Sequence, residues 1–546
     1  MSLSDSDTEF FLTPKHFTTL DPNKKMSESD SDSDNNSDND SNSDNDSNSD
    51  NDSNSDNDSN SDNSSTDSDS ENLSSNSDNE TESDTESESE STKMLIDSDD
   101  LFNTKTNGNE FYGEVLKNRY LILKKLGYGS FSSVWMAYDV DNNELVAIKI
   151  INPQDYKEGM IELQTYKKLE KLDNTYLLTM LECFQVTPIH SKYYEESYKN
   201  KNKKERNHIV IVLPLMACST FDLLKCDEYE DGLPLEICKE IIRQTLLGIK
   251  ELEKHNLMHT DLKPENILVC GLNREAELLF GTFGKDQFIK KTHDEKMEKL
   301  LEKKSISEDD KWLTSYKIYK KITQTIIKFM KNDMIDVKKQ MKSCKVRSDY
   351  LKNICIKICD FNLVLDTNEN LGETSIEIQT RYYRAPEIIL GHGLHRKTDY
   401  WSIGCVFFEL LTGEILLDPE KDNLRSRDIH HMYLIEELMG KVPDNMISNS
   451  ENREKLYDKK GYLLNVGKKI KRWELSEVFT ENHENVGLDE NTCKNVIRFI
   501  NSTLNINPDC RPNIKKMLLD IKNMDEVFVP KNKNQTQNQN QNQNQN

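Results

Sequence analysis

The stretch His259-Thr260-Asp261-Leu262-Lys263-Pro264-Glu265-Asn266, running straight into the apolar Ile267-Leu268-Val269, limits this chain more than any other. It puts a carboxylate, an ammonium two residues later and a carboxamide three beyond that into one short loop ahead of a buried strand. Taken alone, it is also what a charged turn before a strand looks like by chance. The flanking sequence decides between the two. After 94 positions a second apolar stretch, Ile356-Lys357-Ile358-Cys359, ends on another acid, Asp360, followed by Phe361-Asn362.

Composition matters chiefly at the front of the chain. Residues 27–92 are almost entirely Ser, Asp, Asn, Glu and Thr in short degenerate repeats, with no apolar surface to offset the entropy of ordering. Residues 1–100 hold 30 acidic and 4 basic side chains, which is the whole net charge of −26. The remaining 67 acids and 67 bases leave the rest of the chain neutral. We therefore expect 1–100 to be a disordered acidic tail, either a solvating arm or a polyanionic tract for basic partners. The closing Asn/Gln alternation, 531–546, is expected to be disordered as well.

The longest apolar run, Ile209–Ala217, is broken by Pro214 and falls far short of the ~18–20 residues a membrane span needs. No stretch has the pattern of a signal peptide. Eleven scattered cysteines without a Cys-x-x-Cys pair read as reduced thiols. Together these predict a cytoplasmic or nuclear protein that neither enters a membrane nor contacts nucleic acid, monomeric by default.

Structure is expected from about residue 101 onward. Tyr120–Leu126 reads as a strand, Gly127-Tyr128-Gly129-Ser130-Phe131-Ser132-Ser133-Val134-Trp135 as a tight glycine turn and a second strand, and Val146-Ala147-Ile148-Lys149 as a third. Glycines let backbone amides come close to phosphates. Lys149 lies 15 positions after Val134, among apolar neighbours that make a plain surface lysine unfitting. A helix over about 158–171 offers Ile161, Tyr166 and Leu169 for burial and Glu162 as partner of Lys149, with Glu158 as the rival. Ile209–Leu213 is a buried strand leading to Pro214-Leu215-Met216. Pro234–His255 has apolar residues at helical spacing. Residues 271–351 are an insert, lysine-rich, whose Ile318, Tyr319, Ile322, Ile326, Phe329 and Met330 form the apolar side of a helix expected to dock on the larger lobe or to serve a partner.

The glycine loop, lysine strand, Asp261 loop, Asp360-Phe361-Asn362, Ala385-Pro386-Glu387 and the late Arg511 stand in the order of a eukaryotic protein kinase, and the resemblance covers about residues 110–530. It implies an α+β, bilobal protein kinase fold: 110–270 as the small β-rich lobe and the start of the helical large lobe, and 352–530 as the remainder of the latter. Within that superfamily the chain looks most like the SR-protein kinases. Arg119-Tyr120, Thr260 where most kinases carry Arg, Ile378-Gln379-Thr380-Arg381 and Glu437-Leu438-Met439-Gly440-Lys441-Val442-Pro443 carry that likeness, and so does an insert after Asn266. Asp360-Phe361-Asn362 and Ala385-Pro386-Glu387 depart from it. Asn362 replaces the usual glycine, as a residue tolerant of left-handed backbone. The family's acidic groove falls near Asp428, Glu436 and Glu437, interrupted by His430 and His431.

The resemblance implies ATP and Mg²⁺ as cofactors and protein substrates, Arg/Ser-rich or otherwise basic. Asp261, Lys263, Lys149, Glu162 and Thr380 are the implied catalytic residues, and Asn266 and Asp360 the implied metal ligands. Leu126, Gly127, Gly129, Val134, Ala147, Lys149, Met216 and Leu268 would line the nucleotide site, with the Met216 amide facing the adenine. Arg511 is expected to pair with Glu387. Thr260 removes the usual receptor for an activating phosphate, so constitutive activity is expected, with 363–379 ordered by packing. The alternatives are a proline-directed or dual-specificity kinase and, in another class, an inactive kinase-like scaffold using its tail.

Overall fold

The computed structural model describes residues 17–19 and 111–525, except 130, 172–174, 187–206, 303–306, 336, 340–345, 347, 371–377, 467–469 and 483–487. The acidic tract, most of the 187–207 loop, Ser130 and the Asn/Gln tail lie outside the described residues. Inside the tail expected to be disordered, Phe17–Thr19 (β1) forms a strand.

The small lobe is a seven-stranded antiparallel sheet. After β1 its strands are Val115–Leu116 (β2), Tyr120–Tyr128 (β3), Ser132–Asp139 (β4), Glu144–Ile151 (β5), Glu182–Val186 (β6) and His208–Pro214 (β7). Their order across the sheet is β1-β6-β7-β5-β4-β3-β2. Helix α1, Tyr156–Leu169, is inserted between β5 and β6. It buries Met160, Glu162, Leu163, Tyr166 and Leu169, whereas Ile161, expected on that face, is 50% exposed. At 100° per residue, position 161 points away from the stripe that 163, 166 and 160 define.

Successive residues on β3 and β4 serve opposite faces, as the pleat requires. Tyr120, Ile122, Trp135 and Ala137 join one core with Val146, Ile148 and Ile150 of β5. Leu121, Leu123, Met136 and Tyr138 face the other way and need a cover.

That cover is the insert. The chain leaves the large lobe after the short strands Cys218–Ser219 (β8), Leu257–Met258 (β9) and Ile267–Val269 (β10), with Leu235–Lys254 (α2) lying between β8 and β9. It then forms Arg274–Phe283 (α3), Phe288–Leu301 (α4) and Glu308–Asn332 (α5). Ile318, Tyr319, Ile322, Ile326 and Met330 of α5 pack with Ala276, Leu279 and Ile289 against Leu121, Leu123, Met136 and Tyr138. The expectation that this helix docks on the larger lobe is therefore corrected: it docks on the small lobe. Periodicity shows that a helix has an apolar side but not which surface lacks a cover. Polar contacts fix the register. Tyr316 donates to Glu114 (2.7 Å), Lys320 pairs with the same carboxylate, Lys124 reaches Glu275 at 2.5 Å, and Asn143 donates to the Gly284 carbonyl at 3.0 Å.

The chain returns through Ile356–Ile358 (β11), which pairs with β10, and Leu365–Asp366 (β12), which pairs with β9. The large lobe is completed by Thr398–Thr412 (α6), Arg427–Met439 (α7), Glu490–Thr503 (α8) and Ile514–Lys522 (α9). Helix α6 is buried along its whole length.

Candidate active site

The β10–β11 pairing sets the site. Asn266 immediately precedes β10 and Asp360 follows β11 by two residues, so antiparallel register brings together two side chains 94 positions apart. Facing them, β5 presents Lys149. Its ammonium lies 2.7 Å from Glu162 Oε1 and 3.0 Å from Asp360 Oδ1. Glu162 rather than Glu158 is thus the partner; Glu158, one turn earlier on α1, is exposed. Burial works against the Lys149 charge, but Asp360 and Glu162 outweigh it and hold its pKa above the ordinary lysine value. Burial alone would raise the Asp360 carboxyl; the Lys149 ammonium overrides it, and the net direction is down.

A second set surrounds Asp261. Thr380 donates to Asp261 Oδ1 through both its backbone N–H (2.9 Å) and its hydroxyl (2.7 Å). Asn266 Nδ2 donates to the Asp261 carbonyl (2.9 Å) and to Oδ2 (3.2 Å). Lys263 Nζ donates to Thr380 Oγ1 at 2.9 Å and sits 3.3 Å from Asp261 Oδ2. Both carboxylate oxygens are therefore fixed, and Thr380 links the acid to the lysine.

The loop is held in a costly shape. Thr260 has φ +62°, and Asp360 and Gln379 have φ +65° and +64°. A β-branched residue with left-handed φ persists only where its surroundings impose it. Here Asp399, at the start of α6, accepts from the backbone N–H groups of His259 and Thr260, each at 2.9 Å. The Thr260 hydroxyl donates to the Leu363 carbonyl (2.5 Å), and the Gln379 N–H donates to the Thr260 carbonyl (2.9 Å). His259 accepts the Asp261 N–H on Nδ1 (3.2 Å), so its Nε2 carries the proton and donates to the Cys359 carbonyl (2.9 Å). The left-handed member of Asp-Phe-Asn is Asp360, not Asn362 as its glycine-replacing position led us to expect. The turn is made one step earlier, where Lys149 holds the Asp360 carboxylate. Below it, Phe361 is fully buried and meets Tyr166 and His259 edge-on, with ring centroids 5.4 and 5.8 Å away.

The remaining predicted residues line the cleft from above and behind. Val134, Ala147, Met216 and Leu268 belong to one apolar cluster, while Leu126 is 40% exposed at its mouth. Gly127 pairs with Val134 across the β3–β4 turn, and the Gly129 N–H reaches the Ser132 carbonyl at 2.8 Å. Neither glycine has left-handed φ, and a Cβ at either would meet only open space. Glycine here keeps room above the backbone, which suits a phosphate chain. The residues also fit Mg²⁺, a cation of hard oxygen ligands. Asn266 turns its N–H groups to Asp261, which leaves Oδ1 to coordinate, and Asp360 commits only Oδ1 to Lys149.

Asp399, His259 and Phe361 were not picked out as site residues. Asp399 lies 139 positions from Thr260, and its sequence neighbourhood reads as the start of a helix. Only the folded chain shows it capping the Asp261 loop. Arg511 forks onto Glu387 with contacts of 2.7 and 2.6 Å, both side chains almost fully buried, and ties the Ala385-Pro386-Glu387 corner to the end of the large lobe.

Residues 120–299 and 330–520 match the protein kinase domain family model. The chain belongs to the protein kinase family. Among the curated relatives of this kinase are the serine/threonine-protein kinase SRPK of Physarum polycephalum, 30% identical over 71% of this chain and 84% of that one, and the putative serine/threonine-protein kinase L205 of Acanthamoeba polyphaga mimivirus, 27% identical over 74% and 87%. Protein kinase dsk1 of Schizosaccharomyces pombe is 24% identical over 69% and 75%. The kinase stands close to the SR-protein kinases, a group of serine/threonine kinases. Its family uses ATP and Mg²⁺ and acts on proteins. Among the described residues no helix is long and apolar enough to cross a membrane.

Proposed function

We propose that the chain transfers the γ-phosphoryl group of ATP to serine or threonine hydroxyls in Arg/Ser-rich proteins, without prior phosphorylation of its own. The observation that carries the reading is the fully connected Asp261-Thr380-Lys263-Asn266 set opposite Lys149-Glu162-Asp360. Asp261 orients the substrate hydroxyl and takes its proton as the oxygen–phosphorus bond forms and the bond to the ADP oxygen breaks. Lys263 offsets charge on the phosphoryl group in flight. Lys149, aimed by Glu162, holds the inner phosphates. Asn266 and Asp360 would hold Mg²⁺, which neutralises phosphate charge. Val134, Ala147, Met216 and Leu268 enclose the adenine, and Gly127 and Gly129 leave room for the phosphates.

Independence from activating phosphate is supported by Thr260. Where an arginine would await a phosphate, its hydroxyl and carbonyl instead hold Leu363 and Gln379, near the two ends of the 363–379 segment. Residues 371–377 lie outside the described residues. Preference for Arg/Ser substrates draws on the relatives and on α7, where Asp428 and Glu437 are part-exposed. Glu436 is buried, accepting from Tyr457 (3.1 Å), and is withdrawn from such a groove.

The test is labelled-phosphate transfer to an Arg-Ser repeat peptide, a Ser-Pro peptide and residues 1–100, with Asp261→Ala as control. Transfer to Arg-Ser, retained after phosphatase treatment and lost in the control, is expected. Transfer to the Ser-Pro peptide alone overturns the specificity, loss on dephosphorylation overturns the constitutive reading, and no transfer leaves the scaffold alternative.

A further inference from the structure

We infer that Cys270 and Cys355 form a peroxide-sensitive dithiol that closes the root of the insert with a disulfide. The β10–β11 register pairs Ile267 with Ile358, Leu268 with Lys357 and Val269 with Ile356, and one step further it sets Cys270 opposite Cys355. The Cys270 N–H donates to the Cys355 carbonyl at 2.8 Å, so the two are a hydrogen-bonded cross-strand pair. Such pairs have Cα atoms ~5.5 Å apart, inside the ~4.4–6.8 Å range that a disulfide spans. The sulfurs are already 3.4 Å apart, and both residues are part-exposed. Among the described residues no group of three or more His, Cys, Asp or Glu is gathered as a metal site would require.

The two sulfurs are not equivalent. The Cys270 S–H points at Cys355 Sγ, so Cys355 is the accepting sulfur of the pair. Burial, and then the contact with Cys355, push the Cys270 thiol up to about 12, so it keeps its proton and is the poorer nucleophile of the two, suited to the resolving role. The Cys355 thiolate attacks a hydroperoxide. An S–O bond forms, the O–O bond breaks, and water leaves after taking up a proton. Cys270 sulfur then attacks the Cys355 sulfenic acid. The S–S bond forms, the S–O bond breaks, and the Cys270 proton goes to the departing hydroxide. Two thiols are oxidised and one hydrogen peroxide is reduced to two waters. The bond joins the strand leaving Asn266 to the strand leading to Asp360 and closes residues 271–354 into a covalent loop. This does not depend on the phosphoryl-transfer reading.

The experiment treats the full chain with hydrogen peroxide, then alkylates it and maps peptides by mass spectrometry without reduction. A Cys270–Cys355 cross-linked peptide is expected, lost on adding dithiothreitol. In Cys270→Ser the sulfenic acid on Cys355 has no resolving partner and is trapped by dimedone; in Cys355→Ser no dimedone adduct forms on Cys270. The inference is overturned if both thiols are alkylated at peroxide levels that oxidise the exposed Cys510, if either pairs with another cysteine, or if dimedone marks Cys270 first.

Discussion

Replacing Thr380 by valine deletes one hydroxyl at nearly constant volume and so isolates the link between Asp261 and Lys263. The hydroxyl donates to Asp261 Oδ1 at 2.7 Å and accepts from Lys263 Nζ at 2.9 Å. The backbone N–H of residue 380 keeps its own 2.9 Å contact with Asp261, and Asn266 still holds Oδ2, so the carboxylate stays in place but loses one charge-assisted donor. A hydrogen bond to a charged group contributes about 1.5–3 kcal/mol. At about 1.4 kcal/mol per factor of ten, kcat should fall about 10- to 100-fold. Because the Lys149 side of the cleft is untouched, KM for ATP should hold, which is the pattern of an interaction made in the transition state. Thr380→Ser restores the hydroxyl and should recover kcat to within about threefold. Steady-state transfer to a peptide, with the fold checked by thermal melting, is the assay. Valine activity within twofold of native, or a change confined to KM, would refute the reasoning.

Three further outcomes follow from burial and charge. Arg511→Met strands the buried Glu387 carboxylate and should cost about 3–5 kcal/mol in urea unfolding, part of which Glu387→Gln in the same chain returns; a loss under 1 kcal/mol would count against the pair. Ile326→Ala, in the insert face that covers β3 and β4, should cost about 2–5 kcal/mol, and amide exchange should rise in β3 and β4 as well as in α5; exchange confined to α5 would mean the insert does not brace the small lobe. Burial, opposed by the 2.6 Å Tyr383 hydroxyl contact and reinforced by the nearby Glu265 charge, pushes Glu409 from 4.5 up to about 8. The folded state then binds a proton the unfolded state lacks between those values, so this contribution is full below about pH 4.5 and is lost as pH rises to about 8, on the order of 5 kcal/mol. Glu409→Gln should flatten that slope relative to native in urea melts across the same window, and an unchanged slope would reject the assignment.

Much of the site was legible because short-range rules place it. Lys149 follows from an alternating strand at fixed distance from a glycine turn, and Asp261, Lys263 and Asn266 share one loop. Glu162 was separable from Glu158 only as a preference, since both stand on the same helix one turn apart; the 2.7 Å contact with Lys149 settles it. The three left-handed residues were not legible. Thr260 and Gln379 are poor candidates by residue type, and their backbone is held by Asp399 and by contacts 103 and 119 positions distant in sequence; Asp360 is of a tolerant type, but nothing local selects it over Asn362.

The insert shows the division most clearly. Ile318, Ile322 and Ile326 determine by spacing that a helix with one apolar side must form, and the unbroken apolar run Tyr120–Leu123 determines that a strand apolar on both faces must form. Neither pattern names its partner, because burial is favourable against any apolar surface of fitting shape. Residue types, their order and their local periods thus decided which chemistry this chain carries and that it takes a kinase fold. Tertiary structure alone decided that the insert covers the small lobe, that Thr260 holds both ends of the segment after Asp360, and that Cys270 meets Cys355, since each depends on which distant strands and faces come together.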